Sequence, residues 1–203
     1  MFSYCGNNPV SRSDASGQLW QLFRTVYALM TRILMKRNYT HNSKVDADPF
    51  TTTHNRILND QNGDTGDNFE YGGASVQHGG CGAIAIHNVK VLAGMESTLS
   101  ETIKDCQDAG AMLVSGFLGT APWKIDTVLE GYGINSTPVG LNEMTSPGTY
   151  VISYFHSRGA HTVVVVFDGD SYTTYNRYGN GKLFYNPPET FASNYICGYY
   201  LGR

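Results

Sequence analysis

The chain has 203 residues, of which 41% are hydrophobic and 15% charged, and its formal net charge is −3. This composition predicts a globular fold with a core of its own and excludes wholesale disorder. The slightly acidic balance leaves no global basic field, so nucleic acid is not an expected partner.

The cysteines and the apolar segments exclude further classes of protein. Cys5, Cys81, Cys106 and Cys197 lie too far apart for a zinc knuckle, a CxxC redox pair or a dense disulfide framework. We therefore expect no metal and no cofactor. No apolar stretch reaches the ~18 residues of a membrane span, and no secretory signal peptide is visible.

Residues 1–20 are rich in turn signals such as Asn8-Pro9 and Ser16-Gly17. The segment Tyr4-Cys5-Gly6-Asn7-Asn8-Pro9-Val10, followed by Asp14-Ala15-Ser16-Gly17, resembles the junction that closes the core of RHS-repeat proteins, with Ala15 where that family usually has proline. The resemblance implies that the rest of the chain is a C-terminal toxin tip. Such a tip is secreted or delivered into target cells as part of a larger protein, and it has a cognate immunity protein as partner.

Residues 18–38 predict an amphipathic helix in which an apolar face alternates with basic residues. Its apolar positions are Leu19, Phe23, Tyr27, Met30, Ile33 and Leu34, and its basic ones are Arg24, Arg32, Lys36 and Arg37. Such a helix either docks on its own domain or binds a membrane or a partner. Residues 38–72 are polar and indicate a linker or an irregular surface segment. The predicted organisation is a junction remnant (1–20), a helix with polar linker (21–70) and a main domain (71–203).

The stretch Gln77–Gly94 predicts a glycine-rich turn followed by a small, apolar helix that begins at Cys81. A thiol at a helix N-terminus has a lowered pKa, and Gly79, Gly80 and Gly82 leave it accessible. Backbone N–H groups at the same place can hold an oxyanion. The alternative is that Cys81 only packs, as buried cysteines often do.

The remaining pattern predicts helices first and an antiparallel sheet afterwards, which is an α+β fold. Thr98-Leu99-Ser100-Glu101 is a capping box for a helix that ends near Asp108, and a second helix begins near Pro122. Strands are expected at 148–155, 161–168, 171–176 and 195–200, with a hairpin turn at Asp168-Gly169-Asp170.

His161 opens the most hydrophobic strand, and Asn176 ends the strand that returns from the hairpin. The turn places the two residues nearly opposite each other. We expect Cys81 to attack a carbonyl, His161 to transfer the proton, and Asn176 to hold the His161 ring in one tautomer. His78 and His87 are alternative bases, and Asp168 is an alternative orienting residue.

The order Cys81, His161, Asn176 over residues 71–203 resembles the papain-like cysteine peptidases. The His-x-Val-Val-Val run and the 80-residue gap between Cys81 and His161 are most similar to peptidases that trim double-glycine bacteriocin leaders. The resemblance implies a nucleophile helix in an N-terminal helical lobe, packed on a C-terminal antiparallel sheet. It also implies an oxyanion glutamine, for which Gln77 is the candidate, although Ser75 stands nearer the family's usual position.

These observations predict a thiol hydrolase, a peptidase that acts on a protein or peptide through an acyl-enzyme. The same triad also suits a glutamine deamidase or a transglutaminase, because the acyl acceptor decides between them. A non-enzymatic binding module is the third hypothesis.

Overall fold

The computed structural model describes residues 18–63, 68–157, 159–176 and 190–202. The part of the predicted junction at 1–17 lies outside these ranges. The helices are α1 (Gln18–Ala47), α2 (Val76–Gly79), α3 (Cys81–Leu92), α4 (Leu99–Asp108) and α5 (Ile125–Glu130). The strands are β1 (Glu70–Tyr71), β2 (Ala74–Ser75), β3 (Thr137–Pro138), β4 (Gly148–His156), β5 (Gly159–Phe167), β6 (Tyr172–Tyr175) and β7 (Tyr195–Tyr200). Within the described ranges, every helix is too short or too polar to be a membrane span.

A five-stranded antiparallel sheet forms the C-terminal half, with strand order β3-β7-β4-β5-β6. β1 and β2 form a separate two-stranded hairpin. Helices precede the large sheet in the chain, so the α+β class is confirmed. The hairpin between β5 and β6 turns at Asp168, whose carboxylate accepts hydrogen bonds from the N–H groups of Asp170 and Ser171.

The two faces of the large sheet carry different cores, because side chains alternate along a strand. Val151 and Val164 face the helices and join the core that contains Ile84, Ile103 and Leu129. The opposite face has its own smaller core, formed by Met144, Tyr150, Ile152, Val163, Val165 and Phe191.

Helix α3 is the central element of the helical layer, and most of its residues are buried. Ile84 and Ile86 are fully buried. Asn88 pairs with the backbone of Leu58 through two hydrogen bonds of 2.8 and 2.9 Å. The helix is followed by Gly94, whose φ of 72° suits the left-handed position after a helix end. The α4 cap is confirmed, since the Thr98 side chain accepts a hydrogen bond from the Glu101 N–H.

Helix α1 is longer than predicted, and its C-terminal part is docked through polar side chains. Asn42 pairs with the backbone of Glu70 through bonds of 2.8 and 2.9 Å, and Asn38 donates to the Gly72 carbonyl. Asp46 accepts from the N–H groups of Thr53 and Ser100. The segment after α1 contains no regular element up to residue 63, yet Leu58 lies in the core. This polar stretch is therefore part of the folded domain.

Candidate functional site

Cys81 is the first residue of α3, is partly buried as a residue, and lines a cavity of about 210 Å³. Most of the cavity is walled by the loop before α5 and by the start of β5. The lining residues are His78, Gly79, Cys81, Phe117, Leu118, Gly119, Thr120, Pro122, Gly159, Ala160 and Thr162. The cavity brings the predicted nucleophile to a surface that a substrate can reach.

The loop from Met112 to Ala121 is held tightly against the start of α3. A bridge joins Met112 to Thr120, and the Ala121 N–H donates to the Ala111 carbonyl at 2.7 Å. A Cβ on Gly82 would lie 2.5 Å from the Thr120 Cβ, so glycine is needed where the loop meets α3. The loop thereby fixes one wall of the cavity.

The same loop contains backbone conformations that residues other than glycine rarely adopt. Val114 and Ser115 have φ values of 47° and 52°, and both lie in the left-handed region. Gly116 follows with φ of 92°, and a Cβ there would lie 2.2 Å from the Tyr71 carbonyl oxygen. Strained loops of this kind are common at functional sites. Phe117 and Leu118, which end the loop's tip, are 65% and 68% exposed at the cavity rim.

The environment of the Cys81 thiol is close packed. Burial raises the pKa of Cys81, whereas hydrogen bonds from the Thr162 main chain and hydroxyl and from the N–H groups of Gly82 and Cys81 lower it. The net direction is upward, so the predicted lowering of the thiol pKa is wrong for this structure. The helix N-terminus does contribute N–H donors, as expected, but desolvation outweighs them.

His161 lies on the face of β5 that is opposite to this cavity. Its neighbours Ala160 and Thr162 line the cavity with Cys81, whereas the His161 ring meets the ring of Tyr154 edge-on at 5.8 Å between centroids. The His161 residue is 1% exposed. The structure thus places Thr162 in the lining beside Cys81, where its main chain and hydroxyl lower the pKa of the thiol, and the same hydroxyl lies 2.9 Å from the Ser153 Oγ.

Asn176 does contact His161, but through its main chain. The His161 Nε2 lies 2.5 Å from the Asn176 carbonyl oxygen. A carbonyl can only accept, so Nε2 carries the proton and Nδ1 is the acceptor of the neutral ring. The Asn176 side chain lies near Thr162, with Nδ2 3.5 Å from its carbonyl oxygen. Val164 pairs with Tyr175, so Asn176 follows in register opposite Val163, which is two residues away from the predicted position.

Gln77 and His78 lie in the short helix α2, just before Cys81. Gln77 is partly exposed, and it does not line the cavity. His78 does line the cavity, and its Nδ1 lies 3.0 Å from the Ser75 Oγ. Ser75, at the position where the resemblance would place glutamine, therefore contacts a histidine that shares the cavity with Cys81.

His87 and Asp168 have structural roles of their own. His87 is buried, with its ring nitrogens 2.9 Å from the Ser97 Oγ and 2.8 Å from the Arg56 carbonyl oxygen. Burial lowers the pKa of His87. Asp168 closes the β5–β6 hairpin at the far end of the strand from His161, and its N–H bonds from Ser171 and Asp170 lower the pKa of its carboxyl. Neither residue reaches Cys81 in the described structure.

Sequence reasoning missed the residues that shape the cavity, namely Thr162, Thr120, Phe117 and Leu118. A threonine between a histidine and a run of valines looks like an ordinary strand residue, and an apolar loop tip looks like core. The strand alternation was the one available signal, because residues 161 and 162 must face opposite sides. Comparison with protein-family models and with curated proteins gives no match for this chain. The fold and site therefore define an α+β domain with a helix-terminal cysteine in a cavity.

Proposed function

We propose that this domain is a papain-like thiol hydrolase, a peptidase toxin domain in which Cys81 is the nucleophile. The observation that carries the proposal is the position of Cys81. It opens a buried helix that packs on an antiparallel sheet, and its thiol faces a cavity of about 210 Å³ with an apolar rim. Buried cysteines that serve only for packing, such as the fully buried Cys106, have no such access.

The proposed reaction uses the main-chain groups around the thiol. The Cys81 sulfur attacks the substrate carbonyl carbon, the C–S bond forms, and the carbonyl oxygen becomes an oxyanion. N–H groups at the start of α3 can donate to it, and Gln77, which lies outside the cavity lining in this structure, is the proposed side-chain donor once its side chain turns toward the cavity. The oxyanion then collapses, the C–N bond breaks, and the amine leaves with the proton that the base took from the thiol. Water attacks the thioester, the C–S bond breaks, and the carboxylic acid is released with the thiol restored.

His161 is the proposed base, because the Asn176 carbonyl fixes the tautomer in which Nδ1 accepts a proton. In this structure the ring lies on the face of β5 opposite to the cavity, so transfer requires that this end of β5 turns and brings the ring within about 4 Å of the Cys81 sulfur in the substrate complex. One observation favours His78 as a second candidate. His78 shares the cavity with Cys81 and has Ser75 as a hydrogen-bond partner that can orient its ring.

The test is mass spectrometry of a peptide mixture incubated with the wild-type chain, with Cys81→Ala and with Cys197→Ser. Cys197 is a partly buried cysteine of β7 and is the matched control. New termini that depend on Cys81 alone support the peptidase. A gain of about one dalton on intact peptides indicates deamidation instead. Identical peptides from the wild type and Cys81→Ala would overturn the proposal and favour a binding module.

A further inference from the structure

The N-terminal part of α1 carries a large apolar surface that the rest of the described domain leaves exposed. Between Trp20 and Ile33, eight large hydrophobic side chains are each 45–67% exposed. They are Trp20, Leu22, Phe23, Val26, Tyr27, Leu29, Met30 and Ile33. Soluble domains rarely expose an apolar patch of this size unless it binds something.

These side chains share one side of the helix. At 3.6 residues per turn, they fall within roughly half of the helix circumference. The other half carries Arg24, Arg32 and Lys36, together with Gln21 and Thr25, all of which are exposed. The helix is therefore amphipathic, with a clean boundary between its two faces.

The charges on the polar face have one sign. No aspartate or glutamate occurs in α1 before Asp46. An interface with a second copy or with an ordinary protein helix is usually flanked by charges of both signs. An exclusively cationic flank is complementary to an anionic lipid surface, with the apolar half inserted at the acyl boundary.

We propose that the Trp20–Ile33 segment of α1 binds in the plane of an anionic lipid bilayer surface. Trp20 and Tyr27 lie at one edge of the apolar half, where amphipathic aromatic rings suit the headgroup level. The Tyr27 hydroxyl lies 2.9 Å from the Ser115 Oγ, which connects this face to the loop that bears the exposed Val114, Phe117 and Leu118. Binding would therefore bring the rim of the Cys81 cavity toward the lipid.

The test is co-sedimentation of the full chain with vesicles of phosphatidylcholine, with and without phosphatidylglycerol. In a Trp123→Phe background Trp20 is the sole tryptophan, and its emission reports insertion. We expect strong binding and a blue shift only with the anionic vesicles. Replacing both arginines, Arg24→Gln/Arg32→Gln, should weaken binding about thirtyfold, and Lys124→Gln should leave it unchanged.

The apolar half is tested by Phe23→Ser/Met30→Ser, with Phe50→Ser as the control. Phe50 is 93% exposed and lies outside α1. The double variant should lose vesicle binding and the control should keep it, with circular dichroism unchanged in both. The proposal is overturned if anionic vesicles do not bind, or if neutral vesicles bind equally well. It is also overturned if sedimentation velocity shows that the double variant breaks a dimer instead.

Discussion

The two faces of β5 differ in a way that bears directly on the chemistry. One face presents Ala160 and Thr162 to a cavity that also contains Cys81. The other presents His161, which is 1% exposed, packs against Tyr154 and is held by Asn176. The cavity face is accessible and brings a threonine to the thiol, whereas the histidine face holds an oriented, buried ring. Because adjacent residues of a strand point to opposite faces, His161 and Thr162 cannot both face the Cys81 sulfur while β5 keeps this conformation.

The difference teaches that a motif in a strand must be interpreted together with the face on which it lies. His-x-Val-Val-Val matches the peptidase pattern, but whether its histidine or its threonine meets the nucleophile helix depends on the packing of α3.

The largest effect is expected on the accessible face. Cys81→Ala should lower turnover at least about a thousandfold, because no other group replaces the attacking sulfur. Turnover is measured with the peptide identified by mass spectrometry. Cys197→Ser should remain within about twofold of wild type. Full activity of Cys81→Ala would remove this face from the chemistry.

The next largest effect is expected at His161, and the matched variant is at His78. His161→Gln keeps a donor for the Asn176 carbonyl but lacks a base, so it should lower turnover about a hundredfold to ten-thousandfold. His78→Gln should have a smaller effect. The pH profile of kcat/KM provides a second readout, because the loss of the base should remove the acid limb of the profile. The reverse ranking of the two variants would transfer the role of base to His78.

The thiol itself provides a third prediction. Because burial raises the pKa of Cys81, iodoacetamide should label it more slowly than free cysteine at neutral pH, with the rate rising only above the ordinary thiol range of about 8.5. Thr162→Val removes a hydroxyl that lowers this pKa and should move the rate profile to higher pH. Peptide mapping isolates Cys81 from the other cysteines. Rapid labelling near pH 6 would show that the thiol is activated by a nearby cation.

The smallest effect is expected at Asn176, whose carbonyl, and not its amide, contacts the His161 ring. Asn176 has φ of 63°, which glycine adopts freely and alanine does not. Asn176→Gly should keep turnover within about threefold, and Asn176→Ala should lower the free energy of unfolding by about 1 kcal/mol. Urea denaturation and kinetics measure the two quantities. A tenfold or larger loss of turnover in both variants would instead assign a role to the side-chain amide.

Local signals in the sequence were sufficient for much of the architecture. The α4 cap at Thr98 and Glu101, the start of α3 at Cys81 and the hairpin at Asp168 each depend on contacts within a few residues. The α+β class follows from the order of these elements. The packing of the C-terminal part of α1 on the domain was harder to predict, because Asn38, Asn42 and Asp46 look like surface residues until their backbone partners are known.

By itself, the sequence determined the elements, their order and the position of Cys81 at a helix N-terminus, because these depend on short-range hydrogen bonding and periodicity. Only the tertiary structure decided that Thr162 meets the thiol, that the 112–121 loop walls its cavity, and that burial raises the thiol pKa. Those outcomes depend on which strand face packs against α3 and on how closely distant segments approach it. Alternation requires that His161 and Thr162 face opposite sides, but only packing chooses which of the two faces the helix.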